Sequence, residues 1–183
     1  VINNSWGYNT AIAAPEPLAE AIERARTETR GGLGSVVVFA AGNDNRTVGE
    51  GELCALPGVL CVSAVDNYGY PTSYTNSGGP VDVSAPSATV SISPTAEYTL
   101  EFGGTSAAAP VVSGLAGWIL SVDPMRSADS VAELLINTAA ESALVTHDED
   151  GHHDIYGYGT IDPPAVLEAL LAAEHSDTGD TTE

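Results

Sequence analysis

The stretch "GGTSAAAPVVSG" at residues 103–114 decides how this chain is interpreted. A single serine, Ser106, follows two glycines and a threonine and precedes small residues, a proline and an apolar segment. Because serine is a routine N-cap residue, the stretch fits a buried helix start as well as an exposed nucleophile. The rest of the chain must therefore decide between packing and chemistry.

Composition limits the classes of function that the chain can have. Its 183 residues suffice for one domain with a sizeable core, or for most of one. There are 25 acidic residues and 5 basic ones, all of them arginine, which gives a net charge of −20. This charge excludes electrostatic attraction to nucleic acid or to anionic lipid. No apolar run approaches the ~18 residues of a membrane span, so no membrane segment is expected. The excess of carboxylates without lysine predicts adaptation to high salt, where repulsion is screened.

Apolar runs in the first half predict alternating strands and a helix. "VINNS" (1–5) reads as a short buried strand, and "LAEAIERARTETR" (18–30) has one apolar helical face. "SVVVFAA" (35–41) and "GVLCVSAV" (58–65) are continuously apolar, which is typical of parallel strands covered on both faces. These segments predict a right-handed βαβ unit.

The second half predicts a further strand, a hairpin and three helices. "GPVDVSAP" (79–86) reads as a strand, and "ATVSIS" (88–93) with "EYTLEF" (97–102) as a hairpin. The chain from Ala107 to Val122 is apolar nearly all round, which indicates a buried helix. A helix with a capping box at Ser130–Glu133 and a last helix in "DPPAVLEALLAA" (162–173) follow. We expect an α/β fold in three layers, with a mostly parallel sheet and helices on both faces. Residues 174–183 are expected to be a disordered acidic tail.

Two cysteines, Cys54 and Cys61, flank "ALPGVL" (55–60). Their separation permits a disulfide that ties a loop to the following strand. It is equally compatible with two buried free thiols.

Unusual residues follow three predicted secondary-structure segments. They are Ser5-Trp6-Gly7, Ala41-Gly42-Asn43-Asp44 and Gly104-Thr105-Ser106. In an open α/β sheet, ligands bind at the carboxyl ends of the strands. Taken singly, each segment also reads as a turn or a packing site.

Together and in this order, the segments resemble the subtilisin-like serine proteases, or subtilases. "VINNSWG" (1–7) is similar to that family's substrate-binding strand, and "VVVFAAGNDN" (36–45) to the strand before its oxyanion-hole asparagine. "GGTSAAAPVVSGLAG" (103–117) matches its Gly-Thr-Ser-x-Ala-x-Pro nucleophile motif. The resemblance spans residues 1 to 171 and includes "YPTSYTNSGGPVDVSAP" (70–86) and "YGYGTIDPPAVLEAL" (156–170). Residues 1–173 would then be the C-terminal portion of a subtilase catalytic domain. The Ser-Trp-Gly and Ser-Ala-Ala-Ala-Pro spellings lean toward kexin-like members.

The resemblance implies a serine endopeptidase and assigns residue roles. Ser106 would be the nucleophile, and the Asn43 amide with the Ser106 N–H would bind the oxyanion. Ser5-Trp6-Gly7 and Ala41-Gly42 would line the S1 pocket and pair with an extended peptide or protein substrate. Asp44 either favours a basic or polar P1 residue from the pocket rim or is an exposed turn carboxylate. Tyr8 and its successors occupy positions where kexin-like enzymes carry an S1 carboxylate, which argues against dibasic specificity.

The resemblance also implies that the triad aspartate and histidine precede Val1, because subtilase triads run Asp, His, Ser. The upstream part of the same domain would supply both, together with a neighbour for the strand at residues 1–4. All four histidines, 147, 152, 153 and 175, follow Ser106. His152 and His153 read as exposed loop residues; a permuted triad is the alternative.

Catalysis of this kind needs no cofactor. Asp148, Asp150 and Asp154 hint at structural Ca²⁺, although Gly151 comes too early for an EF-hand loop. The family is secreted, while residues 1–7 show no signal peptide. A competing interpretation is a non-catalytic relic or a peptide-binding scaffold. An unrelated nucleotide-binding fold is disfavoured, because no phosphate-binding glycine motif follows any strand.

Overall fold

Four parallel strands form the sheet that positions the site. The computed structural model describes residues 1–95 and 97–177. The strands are β1 (Ile2–Asn4), β2 (Val37–Ala40), β3 (Leu60–Val65) and β4 (Val83–Pro86), and they lie in the order β1-β2-β3-β4. Their register pairs Ile2 with Val37, Val38 with Leu60, and Val62 with Val83.

Helices cover both faces of this sheet, because alternate side chains of each strand point to opposite sides. On one face, Val37 and Phe39 pack with Ile22 of α1 (Glu16–Thr27). On the other, Val38 and Val62 pack against α2 (Thr105–Val122), α3 (Ala128–Asn137) and α4 (Pro163–Asp177). The α/β three-layer prediction is therefore confirmed.

The predicted hairpin is also present. Strands β5 (Thr89–Ser91) and β6 (Thr99–Phe102) pair antiparallel in a separate two-stranded sheet, with a register shift between Thr89 and Ser91. Because β6 leads directly into α2, the hairpin delivers the chain to Ser106.

Helix α2 is long and apolar enough, by length and composition alone, to cross a membrane: it has 18 residues and a mean hydropathy of 1.4. Its buried side chains, which include Ala108, Val112, Ala116 and Ile119, belong to the core between sheet and helices. We therefore interpret α2 as a core helix.

Three local features differ from the predictions. Strand β1 lies at an edge of the sheet, and its Ile2 is 40% exposed, so it is not the buried strand that its apolar sequence predicts. Helix α3 is capped by Ser127, whose Oγ accepts from the Ser130 N–H, because Ser127 is the last residue with extended backbone. Helix α4 runs to Asp177, four residues into the predicted tail; residues 178–183 lie outside the described part.

The cysteines form a disulfide. Cys54 lies in a short 3₁₀ turn (Leu53–Ala55) and is bonded to Cys61 of β3. The bridge fixes the loop between β2 and β3 against the face of the sheet that carries α1.

Candidate active site

Ser106 is the second residue of α2 and is half-buried. Its Oγ donates to the backbone carbonyl of Ser5 at 3.2 Å, and the Ser5 Oγ donates back to the Ser106 carbonyl at 2.9 Å. These reciprocal bonds join the residues after β1 to the start of α2. The first backbone N–H groups of a helix lack partners within the helix, so the Ser106 N–H lies where a negative charge is stabilised.

The N-cap position of α2, Gly104, requires a glycine. Its φ of 77° lies in the left-handed region, and a Cβ there would stand 3.1 Å from the Asn43 Nδ2. The close approach brings the Asn43 amide next to the backbone that leads to Ser106.

Thr105 orients the Asn43 amide. The Thr105 N–H and Oγ1 donate to the Asn43 Oδ1 at 2.8 and 3.1 Å, and the Thr105 Oγ1 also accepts from the Gly42 N–H at 3.1 Å. Because the Asn43 oxygen is engaged, its Nδ2 donors are directed away from Thr105.

The buried side chain of Asn76 holds the turn that carries Asn43. Its Nδ2 donates to the Ala41 carbonyl, while its Oδ1 accepts from the N–H groups of Asp44 and Arg46. Gly42 has a φ of 106°, and a Cβ there would lie 2.3 Å from the Asn76 Nδ2. Asn76 lies in a stretch that the sequence marked only as connecting, so its role was missed, because its burial beside the turn is visible only in the structure.

A second support was missed as well. The Tyr74 hydroxyl contacts the Ser87 Oγ at 2.7 Å and accepts from the Gly104 N–H at 3.2 Å, while the Ser87 Oγ donates to the Gly104 carbonyl. Both backbone groups of Gly104 are thus held by side chains, which fixes the approach to Ser106.

All predicted site residues line one cavity of about 270 Å³. They are Ser5, Trp6, Gly7, Ala41, Gly42, Asn43, Asp44 and Ser106. Trp6 and Asp44 are exposed and mark the mouth, whereas Phe39, Leu53 and Cys54 are buried and mark the inner end. The rings of Trp6 and Phe39 meet edge to face, with centroids 5.4 Å apart.

An ion pair lies at this inner end. Arg46 Nη1 and Nη2 donate to Glu52 Oε1 and Oε2 at 2.8 and 2.7 Å, and the Gly49 N–H donates to Glu52 Oε1 at 2.6 Å. The hydrogen bonds from Arg46 hold the pKa of Glu52 below its usual range, and the same contact raises the pKa of Arg46. A loop brings this pair together, and no pattern in the sequence predicts it.

The described histidines do not contact Ser106. His152 Nε2 lies 2.8 Å from the Val81 carbonyl, and His153 Nδ1 accepts from the Ile155 N–H. Burial and the neighbouring His147 lower the pKa of His153. These rings line a separate hollow with Thr146. The structure therefore gives no support to a permuted triad among the described side chains; that of His175 lies outside them.

The acidic loop does not assemble a cation site. Asp148 Oδ1 accepts from the N–H groups of Asp150 and His152, so it serves its own turn. Among the described side chains, those of residues 1–95 and 97–173, no three from His, Cys, Asp or Glu are grouped as metal ligands. The residues at Asp148, Asp150 and Asp154 thus do not fit the Ca²⁺ that the sequence hinted at.

Asp82 is a half-buried acidic residue outside the cavity. Its Oδ2 accepts from the Cys61 N–H at 2.7 Å. Burial raises its pKa to about 6, although that hydrogen bond and the charge of His152 act in the opposite direction.

The assembled cavity can bind an extended peptide between two backbone walls and present a hydroxyl at a helix N-terminus to a carbonyl group. It lacks a proton acceptor for that hydroxyl among the described side chains. Ser5–Gly7 and Ala41–Gly42 line this cavity, as does Asn43, whose Oδ1 is bound by the residue that precedes Ser106.

Comparisons with known proteins agree with this geometry. The chain is 27% identical to the calcium-dependent protease of Trichormus variabilis over 95% of its length, covering 32% of that protein. It is 33% identical to the halolysin-like extracellular serine protease Nep of Natrialba magadii over 80% of its length, covering 25% of that protein. A solved structure described as proteases from Pseudoalteromonas arctica superposes with a TM-score of 0.75 at 28% identity, over 92% of this chain and 50% of that one.

The chain spans about a third or less of these curated relatives. The relatives are bacterial and halophilic proteases and give no support to the kexin-like leaning of the Ser-Trp-Gly and Ser-Ala-Ala-Ala-Pro spellings. A family model described as "Subtilase family", peptidase S8, matches residues 1–159. On this match and the fold, the chain belongs to the subtilase family of serine proteases.

Proposed function

We propose that this chain carries the nucleophile, two oxyanion donors and the S1 pocket of a serine endopeptidase. The observation that carries the proposal is the joint placement of Ser106 and Asn43, coupled through Thr105, at the mouth of one cavity. Membership of the subtilase family supports a peptidase function.

Ser106 is the proposed nucleophile. Its Oγ forms a bond to the carbonyl carbon of the scissile peptide while its proton passes to a base. The base returns this proton to the leaving amine, the C–N bond breaks, and an acyl-enzyme remains. Water then attacks the ester, which releases the carboxylic acid and restores the hydroxyl. The Ser106 N–H and the Asn43 Nδ2 stabilise the oxyanion in both halves of the reaction.

The base lies outside the residues described here. We propose that it is a histidine, oriented by an aspartate, in an upstream part of the same catalytic domain. Two observations support this: no described histidine contacts Ser106, and the relatives are much longer than this chain. An upstream segment would also pair with the exposed edge of β1.

The substrate is a peptide or protein segment in extended conformation. Its backbone adds to Ser5–Gly7 and Ala41–Gly42, and its P1 side chain (the residue whose carbonyl is attacked) enters the cavity. Asp44 is exposed at the mouth, where it is a proposed contact for a polar group of the substrate outside the inner end of the cavity.

Secretion and halophily are proposed from the same relatives. The Natrialba protein is named as extracellular and halolysin-like, and the net charge of −20 supports a high-salt environment.

Structural Ca²⁺ is also part of the proposal, because the Trichormus relative is named as calcium-dependent. The ion would bind at a site other than the loop of Asp148. Thermal unfolding before and after chelation with EDTA tests for this ion, since removal of a structural Ca²⁺ should lower the Tm.

An active-site label tests the proposed function. The protein, together with its upstream sequence, is treated with a fluorophosphonate, and we expect one adduct on Ser106, absent from Ser106→Ala. Asn43→Ala should fold normally and lower kcat by about 10²–10³-fold, a magnitude taken from subtilisin. A protein that folds, is not labelled and cleaves no peptide is the non-catalytic scaffold instead.

A further inference from the structure

The inner end of the substrate cavity holds two opposite charges that no step of the proposed reaction uses. The exposed fraction of the side chain is 22% for Arg46 and 11% for Glu52, so the pair is largely shielded from water. We propose that Arg46 neutralises an acidic floor of the S1 pocket and thereby selects uncharged P1 side chains. This inference rests on the proposed function and names its substrate class.

The carboxylate of Glu52 is already occupied. Oε1 accepts from Arg46 Nη1 and the Gly49 N–H, and Oε2 accepts from Arg46 Nη2. A lysine or arginine at P1 would find no free counter-ion here unless it displaced Arg46, and breaking a shielded pair is costly. An acidic P1 side chain meets the same obstacle at Arg46.

The pair is held in place by its surroundings. Arg46 Nη1 also donates to the Thr47 carbonyl at 3.0 Å, and the Arg46 N–H is bound by the buried Asn76. Glu52 immediately precedes the 3₁₀ turn whose Cys54 is bonded to β3. Neither side chain can leave the cavity without breaking these contacts. The charges of Arg46 and Glu52 therefore stay paired, and the floor of the pocket has no net charge.

The rest of the inner end is apolar. Phe39, Leu53 and Cys54 are each less than 10% exposed, and they line the cavity beside the ion pair. Burial of an apolar side chain against them is favourable, whereas a charged one loses its hydration. The remaining charge, Asp44, lies at the exposed mouth, where water and salt screen it.

The inference predicts opposite effects for the two partners. Arg46→Gln leaves Glu52 as an unpaired carboxylate in the floor, which attracts a P1 lysine or arginine. Glu52→Gln leaves Arg46 unpaired, which attracts a P1 glutamate and repels lysine. The double variant, Arg46→Gln with Glu52→Gln, restores a neutral floor and with it the original preference.

The test measures kcat/KM for peptidyl-coumarin amides that differ only at P1, with Leu, Gln, Lys and Glu. The protein includes its upstream sequence, and the pH is about 8, where an unpaired carboxylate is ionised. Wild type should cleave Leu and Gln in preference to Lys and Glu. Arg46→Gln should raise the Lys/Leu ratio about tenfold or more, and Glu52→Gln should raise the Glu/Leu ratio by a similar factor. Arg24→Gln, which removes an exposed arginine from α1 outside the cavity, is the matched charge control.

Each outcome is decisive. A wild-type enzyme that prefers Lys or Glu at P1 overturns the inference even if a variant fails to fold. The inference is also overturned if the Lys/Leu and Glu/Leu ratios of kcat/KM in every folded variant are no different from those of Arg24→Gln. In both cases peptide hydrolysis itself continues, so the proposed function stands. A folded protein that cleaves none of the substrates and takes no fluorophosphonate overturns both.

Discussion

Asn43 and Thr105 are joined by two hydrogen bonds that share one acceptor. The backbone N–H and the Oγ1 of Thr105 both donate to the Asn43 Oδ1, at 2.8 and 3.1 Å. Since the hydroxyl also accepts from the Gly42 N–H, one threonine side chain fixes both the turn and the amide that it carries. Thr105 is fully buried next to Ser106, so any effect on the substrate is transmitted through the groups that it holds, Asn43 and Gly42.

We therefore predict that Thr105→Val lowers kcat about tenfold with little change in KM. Valine keeps the shape but loses the hydroxyl, so the Asn43 amide retains one of its two anchors and spends less time aimed at the oxyanion. Steady-state kinetics of the complete enzyme measure both parameters.

Thr105→Ser is the matched control, because it keeps the hydroxyl. It should retain most of the activity, while Thr105→Val combined with Asn43→Ala should be no worse than Asn43→Ala alone. Equal activity of the valine and serine variants would show that the hydroxyl does not position Asn43.

The apolar runs were sufficient to predict the layers of the fold. Continuous apolar stretches at 35–41 and 58–65 became β2 and β3, because strands covered on both faces need apolar side chains on both. Ile2 is instead 40% exposed despite its apolar sequence, because its strand lies at the edge of the sheet and has a neighbour on one side only. An apolar sequence shows that a strand can be buried on both faces. The position of that strand in the sheet decides whether its side chains are in fact buried.

The sequence could propose site residues where a residue follows a strand or begins a helix. Ser106 and Asn43 were proposed in this way, through their resemblance to family motifs. Arg46, Glu52 and Asn76 were not, because their partnerships are made by loop geometry and by residues up to 35 positions apart, and charge pairs in loops leave no periodic signal. The disulfide remained open for the same reason: a seven-residue separation permits it without requiring it.

Asp82 should make the protein less stable as the pH rises from about 4 to about 6. Its pKa is raised from 3.8 to about 6 in the folded state, so over this interval the folded state binds more protons than the unfolded one. The free energy of unfolding therefore falls by about 2–3 kcal/mol and stays lower above that range. Asp82→Asn, whose amide oxygen can still accept from the Cys61 N–H, should remove this fall and be more stable than wild type near neutral pH.

Chemical denaturation at a series of pH values measures the effect as the difference between wild type and variant. Asp150→Asn makes the same substitution at an exposed position and should leave the pH profile unchanged. If wild type and Asp82→Asn differed by a constant amount at all pH values, the raised pKa would be wrong.

Salt should stabilise the protein. At a net charge of −20, repulsion among carboxylates opposes folding at low ionic strength, and the Debye length falls to ~3 Å near 1 M salt. We expect the Tm to rise from low salt to molar NaCl and most of the rise to be complete by about 1 M. A second series in sodium sulfate at matched ionic strength separates two effects. Both salts screen the charges to the same extent, but sulfate is excluded more strongly from the protein surface, so a larger rise of the Tm in sulfate measures that exclusion. A Tm that stays flat or falls in NaCl argues against halophily.

The chain of 183 residues by itself should be catalytically inert. The Ser106 hydroxyl donates to a backbone carbonyl, and none of the hydrogen bonds of the described histidines, His152 and His153, reaches Ser106, so no described side chain accepts its proton. Loss of the triad histidine costs about 10⁶-fold in kcat, a magnitude taken from subtilisin, while the oxyanion donors retain about 10³–10⁴-fold over water where the groove forms. Fluorophosphonate should therefore leave the isolated chain unlabelled and should label it once the upstream segment is added in trans. Stoichiometric labelling of the isolated chain would mean that it contains its own base, and alanine substitution of His175, whose side chain lies outside the described residues, would then be the first search for it.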